Sequence, residues 1–172
     1  MKLIVLLLLP FLSFSQITLE ETINLLDGKV ELKVPKVLTN MTDEKWKLKY
    51  GKVTRPVLAL SDQDFEVSII GQYTNQEWEE ANMKAYADFR IDNLKKTRTD
   101  VKVLSDGVKD VNGRKVGYVK FTSQAIDTKI LNYYFFIVVN GKILLFNFNC
   151  TEKLRPDWEK VADEIVASLR IK

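Results

Sequence analysis

The sequence predicts an α+β fold in which an antiparallel β-sheet is flanked by helices, an α/β/α sandwich. Three observations carry that prediction. Period-two alternation of apolar and polar residues recurs in several short runs; two Asn-Gly dipeptides each sit between such runs; and two longer stretches place apolar residues at helical spacing. Strands with one buried face and helices with one apolar stripe hide both most simply by stacking as layers.

Taken in order, Ile17 to Leu26 is amphipathic and fits either a strand or a helical turn, and Asp27-Gly28 marks a turn. Lys29–Val34 alternates, with Val30, Leu32 and Val34 on one face and Lys29, Glu31 and Lys33 on the other, and Pro35 ends the strand. Thr42 caps a short helix that runs to Tyr50. Gly51 and Pro56 bracket a loop, Val57–Leu60 is a short strand, and Phe65–Tyr73 alternates again. Thr74 and Glu77 form the T-x-x-E of a capping box, which predicts a helix from there to Lys96. Its main apolar stripe is Trp78, Ala81, Ala85 and Phe89, with a weaker one at Met83, Ala87, Ile91 and Leu94.

From Val101 the period returns to two. Asn112-Gly113 and Asn140-Gly141 predict hairpins joining strands 101–110 with 114–123 and 129–139 with 142–150. Tyr133–Val139 is apolar at every position, as a central strand covered on both faces requires. Pro156 opens a last helix with Asp157 and Glu159 in its first turn, Arg170 and Lys172 at its end, and Trp158, Ala162, Ile165 and Leu169 on its core face.

The first residues read differently. Met1-Lys2 is a positive start, Leu3 to Leu12 is apolar except for Pro10, and Ser13 and Ser15 supply the small residues of a cleavage site before Gln16. A membrane span needs about 20 apolar residues, more than this run offers. The expectation is a cleaved signal peptide over residues 1–15 and a single domain over 16–172, exported to the periplasm or outside the cell. No cysteine follows the cleavage site to take a lipid anchor there.

Composition excludes several kinds of chemistry. The chain has no histidine and one cysteine, Cys150, so Ser–His–Asp and Cys–His catalysis, zinc sites built on His or several Cys, and an internal disulfide are ruled out. The 26 Lys and Arg against 23 Asp and Glu leave +2 once Lys2 is removed with the signal peptide, too little to suggest nucleic acid as a partner. No catalytic, cofactor or metal residue is assigned.

The remaining candidates each have a structural reading. Asp62-x-Asp64 has the spacing of a calcium loop but lacks the later ligands, and reads as a turn. Glu77, Glu79 and Glu80 read as first-turn acids of the predicted helix. Tyr133, Tyr134, Phe135, Phe136, Phe146 and Phe148 read as core, with a pocket for a small apolar ligand between sheet and helix as the alternative. Cys150 shares a strand face with Leu144, Phe146 and Phe148 and is expected to be buried and inert. Lys45, Lys47, Lys49, Lys52 and Arg55 put five positive charges into eleven residues interleaved with Trp46 and Tyr50. They are either a solvated face or a patch that binds a partner.

One resemblance covers residues 27–171. The segments D-G-K-V-E-L-K-V-P, K-L-K-Y-G, N-G-R-K-V-G-Y, N-G-K-I-L-L-F-N-F-N-C and W-E-K-V-A-D-E-I-V-A-S-L, in this order, resemble the Mog1/PsbP-like group of α/β/α sandwiches. The resemblance implies a non-catalytic accessory role, as in assembly factors, extrinsic subunits and regulators of larger machines. With the export signal it makes the expected partner another envelope or secreted protein.

Overall fold

The computed structural model describes residues 16–172; the predicted signal peptide lies outside the described residues. Two Asn-Gly hairpins organise its centre. Strands β6 (Lys102–Val111) and β7 (Arg114–Gln124) meet at Asn112-Gly113, and β8 (Lys129–Val139) and β9 (Lys142–Thr151) at Asn140-Gly141. Both residues of each dipeptide have positive φ, 49° and 79° in the first and 50° and 74° in the second. That is the left-handed turn whose twist matches paired strands. With β3 (Thr39–Asn40), β4 (Leu58–Ser61) and β5 (Val67–Glu77), they build a seven-stranded antiparallel sheet in the order β3-β4-β5-β9-β8-β7-β6.

Period two then sorts the strands' side chains onto two faces. One face carries Leu58, Ile69, Leu131, Tyr133, Phe135, Ile137, Leu144, Phe146, Phe148 and Cys150, all buried. Helix α3 (Arg155–Ser168) covers it with Trp158, Val161, Ala162, Ile165 and Val166. A second, three-stranded sheet shares the same core: β1 (Glu21–Leu25), β2 (Val30–Val34) and β10 (Arg170–Ile171), in the order β1-β2-β10. The predicted alternation of β2 is seen directly, since Val30, Leu32 and Val34 are all buried.

The other face carries Val119, Phe121, Phe136, Val138 and Ile143, packed under helix α2 (Met83–Thr97). Phe136 crosses Gly117 on the neighbouring strand so closely that a Cβ there would lie 2.1 Å from the ring. A smaller cluster of Met41, Trp46 and Ala59 seats helix α1 (Asp43–Tyr50) at the far end of this face. Thr42 caps α1 as predicted, its hydroxyl oxygen accepting from the backbone N–H of Lys45 at 3.2 Å.

Four expectations are corrected. The capping box at Thr74 and Glu77 is strand, not helix. β5 pairs with β9 from Val67↔Cys150 to Tyr73↔Leu144 and again at Glu77↔Lys142, and the Thr74 hydroxyl donates to the Ile143 carbonyl at 3.0 Å. Pairing with a long apolar strand outweighs a local capping signal. The helix therefore begins nine residues late, and its buried stripe is Met83, Tyr86, Ala87, Ile91 and Leu94, while Phe89 stays exposed. The last helix stops at Ser168, and Arg170–Ile171 pairs with β2 as a strand. Finally, the Lys29–Val34 strand belongs to the small covering sheet, not the main one, and Ile17–Leu26 resolves into β1 at its edge.

Candidate functional site

Helix α1 and the loop after it lie at one end of the second face. Trp46 and Tyr50, four residues apart, stack with ring centroids 4.2 Å apart. Trp46 is buried, and its indole N–H donates to the Val53 carbonyl at 2.9 Å, tying residues 51–57 back onto the helix. Beside this tie lies a groove of about 630 Å³ lined by Asp43, Trp46, Lys47, Lys52, Val53 and Arg55.

The five cations of the sequence patch do not act as one group. Lys45 and Lys49 turn toward Phe65, their ammonium groups 5.2 Å and 5.6 Å from its ring centroid, and Lys49 also donates to the Phe65 carbonyl at 3.2 Å. Desolvation there lowers the Lys49 pKa, with Asp62 opposing the shift. Arg55 is bound to Asp43 at 3.1 Å and to the Met41 carbonyl. Lys47 and Lys52 line the groove, and among the described residues neither makes an ion pair. Val53, 63% exposed, lines the groove with them.

The other sequence candidates take structural positions. Asp62 closes the β4–β5 turn, its carboxylate accepting from the Val67 N–H at 3.0 Å. Glu77 ends β5, and Glu80 lies in a 3-10 turn where Arg114 Nε donates to it at 2.8 Å and the Lys115 N–H at 2.7 Å. The Arg114 hydrogen bond, supported by the Lys115 N–H and opposed by burial, lowers the Glu80 pKa. Tyr133, Phe135, Phe136, Phe146 and Phe148 are fully buried core. Cys150 is buried on the expected face, and desolvation, reinforced by Glu152 and Glu159, pushes its thiol up to about 12. Such a thiol has no nucleophilic form at neutral pH. Among the described residues no group of three or more His, Cys, Asp or Glu is placed to hold a metal, and no helix is long and apolar enough to cross a membrane.

A feature the sequence reading missed lies on the same face. Between α1 and α2 the sheet is left partly uncovered, as a cleft of about 300 Å³ whose floor includes Ile70, Gln72, Leu145, Asn147 and Asn149. The register aligns Ser68, Asn149 and Asn132 across three neighbouring strands, and Ile70, Asn147 and Tyr134 in the row beside them. The first row is satisfied internally: Ser68 donates to Asn149 at 2.9 Å, and Asn132 donates to Ser123 at 3.0 Å. The signal was available in F-N-F-N-C, where Asn147 and Asn149 alternate with Phe146 and Phe148. A strand flanked on both sides within a sheet and polar on one face has that face near water or a ligand.

The sequence matches no protein-family model and no curated protein. Solved structures do match. PsbP of the cyanobacterium Synechocystis sp. PCC 6803 superposes with a TM-score of 0.64 at 10% identity, covering 88% of this chain and 92% of that one. The Ran-binding protein Mog1p of Saccharomyces cerevisiae gives 0.59 at 11% identity, covering 90% and 96%. LpqN of Mycobacterium tuberculosis, a protein involved in cell envelope biogenesis, gives 0.56 at 11% identity, covering 83% of each. Identity this low leaves the arrangement of strands and helices as what is shared, and by that arrangement the chain has the Mog1/PsbP-like fold.

Proposed function

We propose that this chain is an exported, non-catalytic accessory module that binds an acidic segment of another envelope or secreted protein through the groove beside α1. The observation that carries the reading is the pair Lys47 and Lys52, in no ion pair among the described residues and lining a groove with exposed Val53 on a frame tied by Trp46. Unpaired cations on a rigid edge attract a complementary strand of charge and raise its rate of association. Val53, exposed in the same groove, supplies apolar contact area. Lys45, Lys49 and Arg55 contribute differently: two hold the Phe65 turn in place and one holds Asp43. The Mog1p fold, which in yeast belongs to a Ran-binding protein, is consistent with a role in protein binding.

Export rests on the signal-peptide pattern of residues 1–15 and is tested by the intact mass of protein from its own host. A chain beginning at Gln16 supports it; a full-length or acylated mass overturns it. The binding reading is tested by capture from the native envelope fraction, with wild type against Lys47→Glu combined with Lys52→Glu. The wild type is expected to retain an acidic partner that is released by salt and lost in the double variant. A partner held equally by both proteins at physiological salt would show that the groove is merely a solvated face.

A further inference from the structure

The cleft between α1 and α2 contains unmet bonding capacity. Arg90 projects from α2 into it with its guanidinium 5.3 Å above the Tyr134 ring, and it pairs with no carboxylate among the described residues. Its Nε is buried and has no acceptor, and the Asn147 Oδ1 on the floor is buried and has no donor. Native interiors rarely leave such atoms unpaired, and each one asks for an explanation. Here both residues line one cleft, and one of them is cationic, its guanidinium otherwise near the Tyr86 hydroxyl.

The walls define the rest of a ligand. Trp46 and Tyr50 present stacked rings on the α1 side, and Tyr134 presents a ring beneath Arg90. Tyr50 is half-buried on that wall, and desolvation raises its pKa, ahead of an opposing hydrogen bond with Ser68. A volume of about 300 Å³ suits a molecule of one or two rings. We propose that this cleft is a binding site for a small aromatic carboxylate bearing an N–H or O–H donor next to the acid group. The carboxylate accepts from Arg90, the donor meets the Asn147 Oδ1, and the ring lies against the Trp46 and Tyr50 wall. This cleft adjoins the protein-binding groove and shares Trp46 and Val53 with it, but the two readings turn on different side chains, Arg90 and Asn147 here and Lys47 and Lys52 there, so they fail independently. The cleft differs from the apolar pocket that stood as the alternative reading of the aromatic strand residues, since of those only Tyr134 lines the cleft and the floor carries Gln72, Asn147 and Asn149.

The test uses the chain from Gln16 onward and three probes with the required groups: N-acetylphenylalanine, 3-phenyllactate and indole-3-lactate. Calorimetry is expected to show saturable one-to-one binding of at least one of them. NMR should place the shifts at the Asn147 side-chain amide and the Trp46 indole N–H. The matching carboxamide is expected to bind about tenfold or more weakly, the size of one charge-assisted hydrogen bond. Arg90→Met should bring the acid down to the carboxamide's affinity and leave the carboxamide unchanged, and Arg90→Lys should recover part of the loss. Asn147→Leu should weaken both compounds. The proposal is overturned if none of the three binds at millimolar concentration, if the shifts map elsewhere, or if a folded Arg90→Met variant keeps full affinity. Ordered water alone satisfying Arg90 and Asn147 would give the first of these results.

Discussion

The two faces of the seven-stranded sheet are built from the same strands and finished differently. Under α3 and the small sheet, Phe135 and Phe146 stack at 4.7 Å, Phe148 lies 6.1 Å from Trp158, and every inward side chain from Leu131 to Val139 is buried. On the opposite face α2 seals only one end and α1 only the other, and between them the strands show asparagine, glutamine and a half-buried tyrosine. A sheet face that is packed throughout contributes stability and nothing else. A face left open between two helices gives up some of that stability, and it is where binding can be placed. The contrast predicts that equal-sized changes on the two faces will have unequal, and finally opposite, effects on stability.

The largest effect belongs to the closed face. Phe146→Ala removes a fully buried ring from between Phe135 and the strands beside it, and is expected to cost about 4–5 kcal/mol, read as a lower midpoint in denaturant unfolding. A cost near 1 kcal/mol would mean that this face is loosely filled and that the contrast is overstated. Trp46→Ala, on the open face, should cost less, about 3 kcal/mol, because one side of the indole borders the groove and the cleft, and solvent can enter the space it leaves.

Cys150 sharpens the comparison through pH. Its thiol is held up at about 12 in the folded chain, against about 8.5 in an unfolded one. The folded state therefore keeps a proton that the unfolded state gives up. The sign follows: stability from this group is complete below about pH 8.5 and declines by up to about 1.4 kcal/mol per pH unit as pH rises toward 12. Cys150→Ala should flatten that part of the stability profile. Cys150→Ser should cost about 1–3 kcal/mol at neutral pH by placing a hydroxyl in the closed core. Rapid labelling of the thiol in the native protein would show that the β9 register is wrong by one residue.

What the sequence showed follows the same division. Elements whose signals are local and mutually consistent were legible: the two Asn-Gly turns, the Thr42 cap, the alternation of β2, and the face of α3. Elements fixed by distant partners were not. Thr74 and Glu77 form a sound capping box in isolation, and only β9, some seventy residues further on, decides that they are strand. Arg170 and Ile171 look like the end of a helix until β2 is in place to pair with them. The cationic patch was visible as composition, but its division depends on Phe65, brought to it from the next turn, and on the loop that returns Arg55 to Asp43. The cleft needed both Asn147 and Arg90, and no spacing in the chain connects a strand asparagine to an arginine four elements earlier.

The smallest expected effect is also the one with the opposite sign. Asn147 sits on an interior strand with a buried carbonyl oxygen that no donor among the described residues reaches, beside Leu145 and Tyr134 on the cleft floor. Leaving such an atom unpaired costs about 1–3 kcal/mol, and a leucine of nearly the same size has no such atom to satisfy. Asn147→Leu should therefore raise stability by about 1 kcal/mol, a gain of several degrees in melting temperature for a domain of this size. The equivalent polar-to-apolar change is unavailable on the closed face, where Phe146 and Phe148 already occupy the neighbouring positions. A stabilising substitution at a buried asparagine is what a binding site produces, because the bond missing in the free protein is completed by the ligand. If Asn147→Leu is destabilising by more than about 1 kcal/mol, Asn147 is bonded in the free protein after all, and the open face is packed more like the closed one than its geometry indicates.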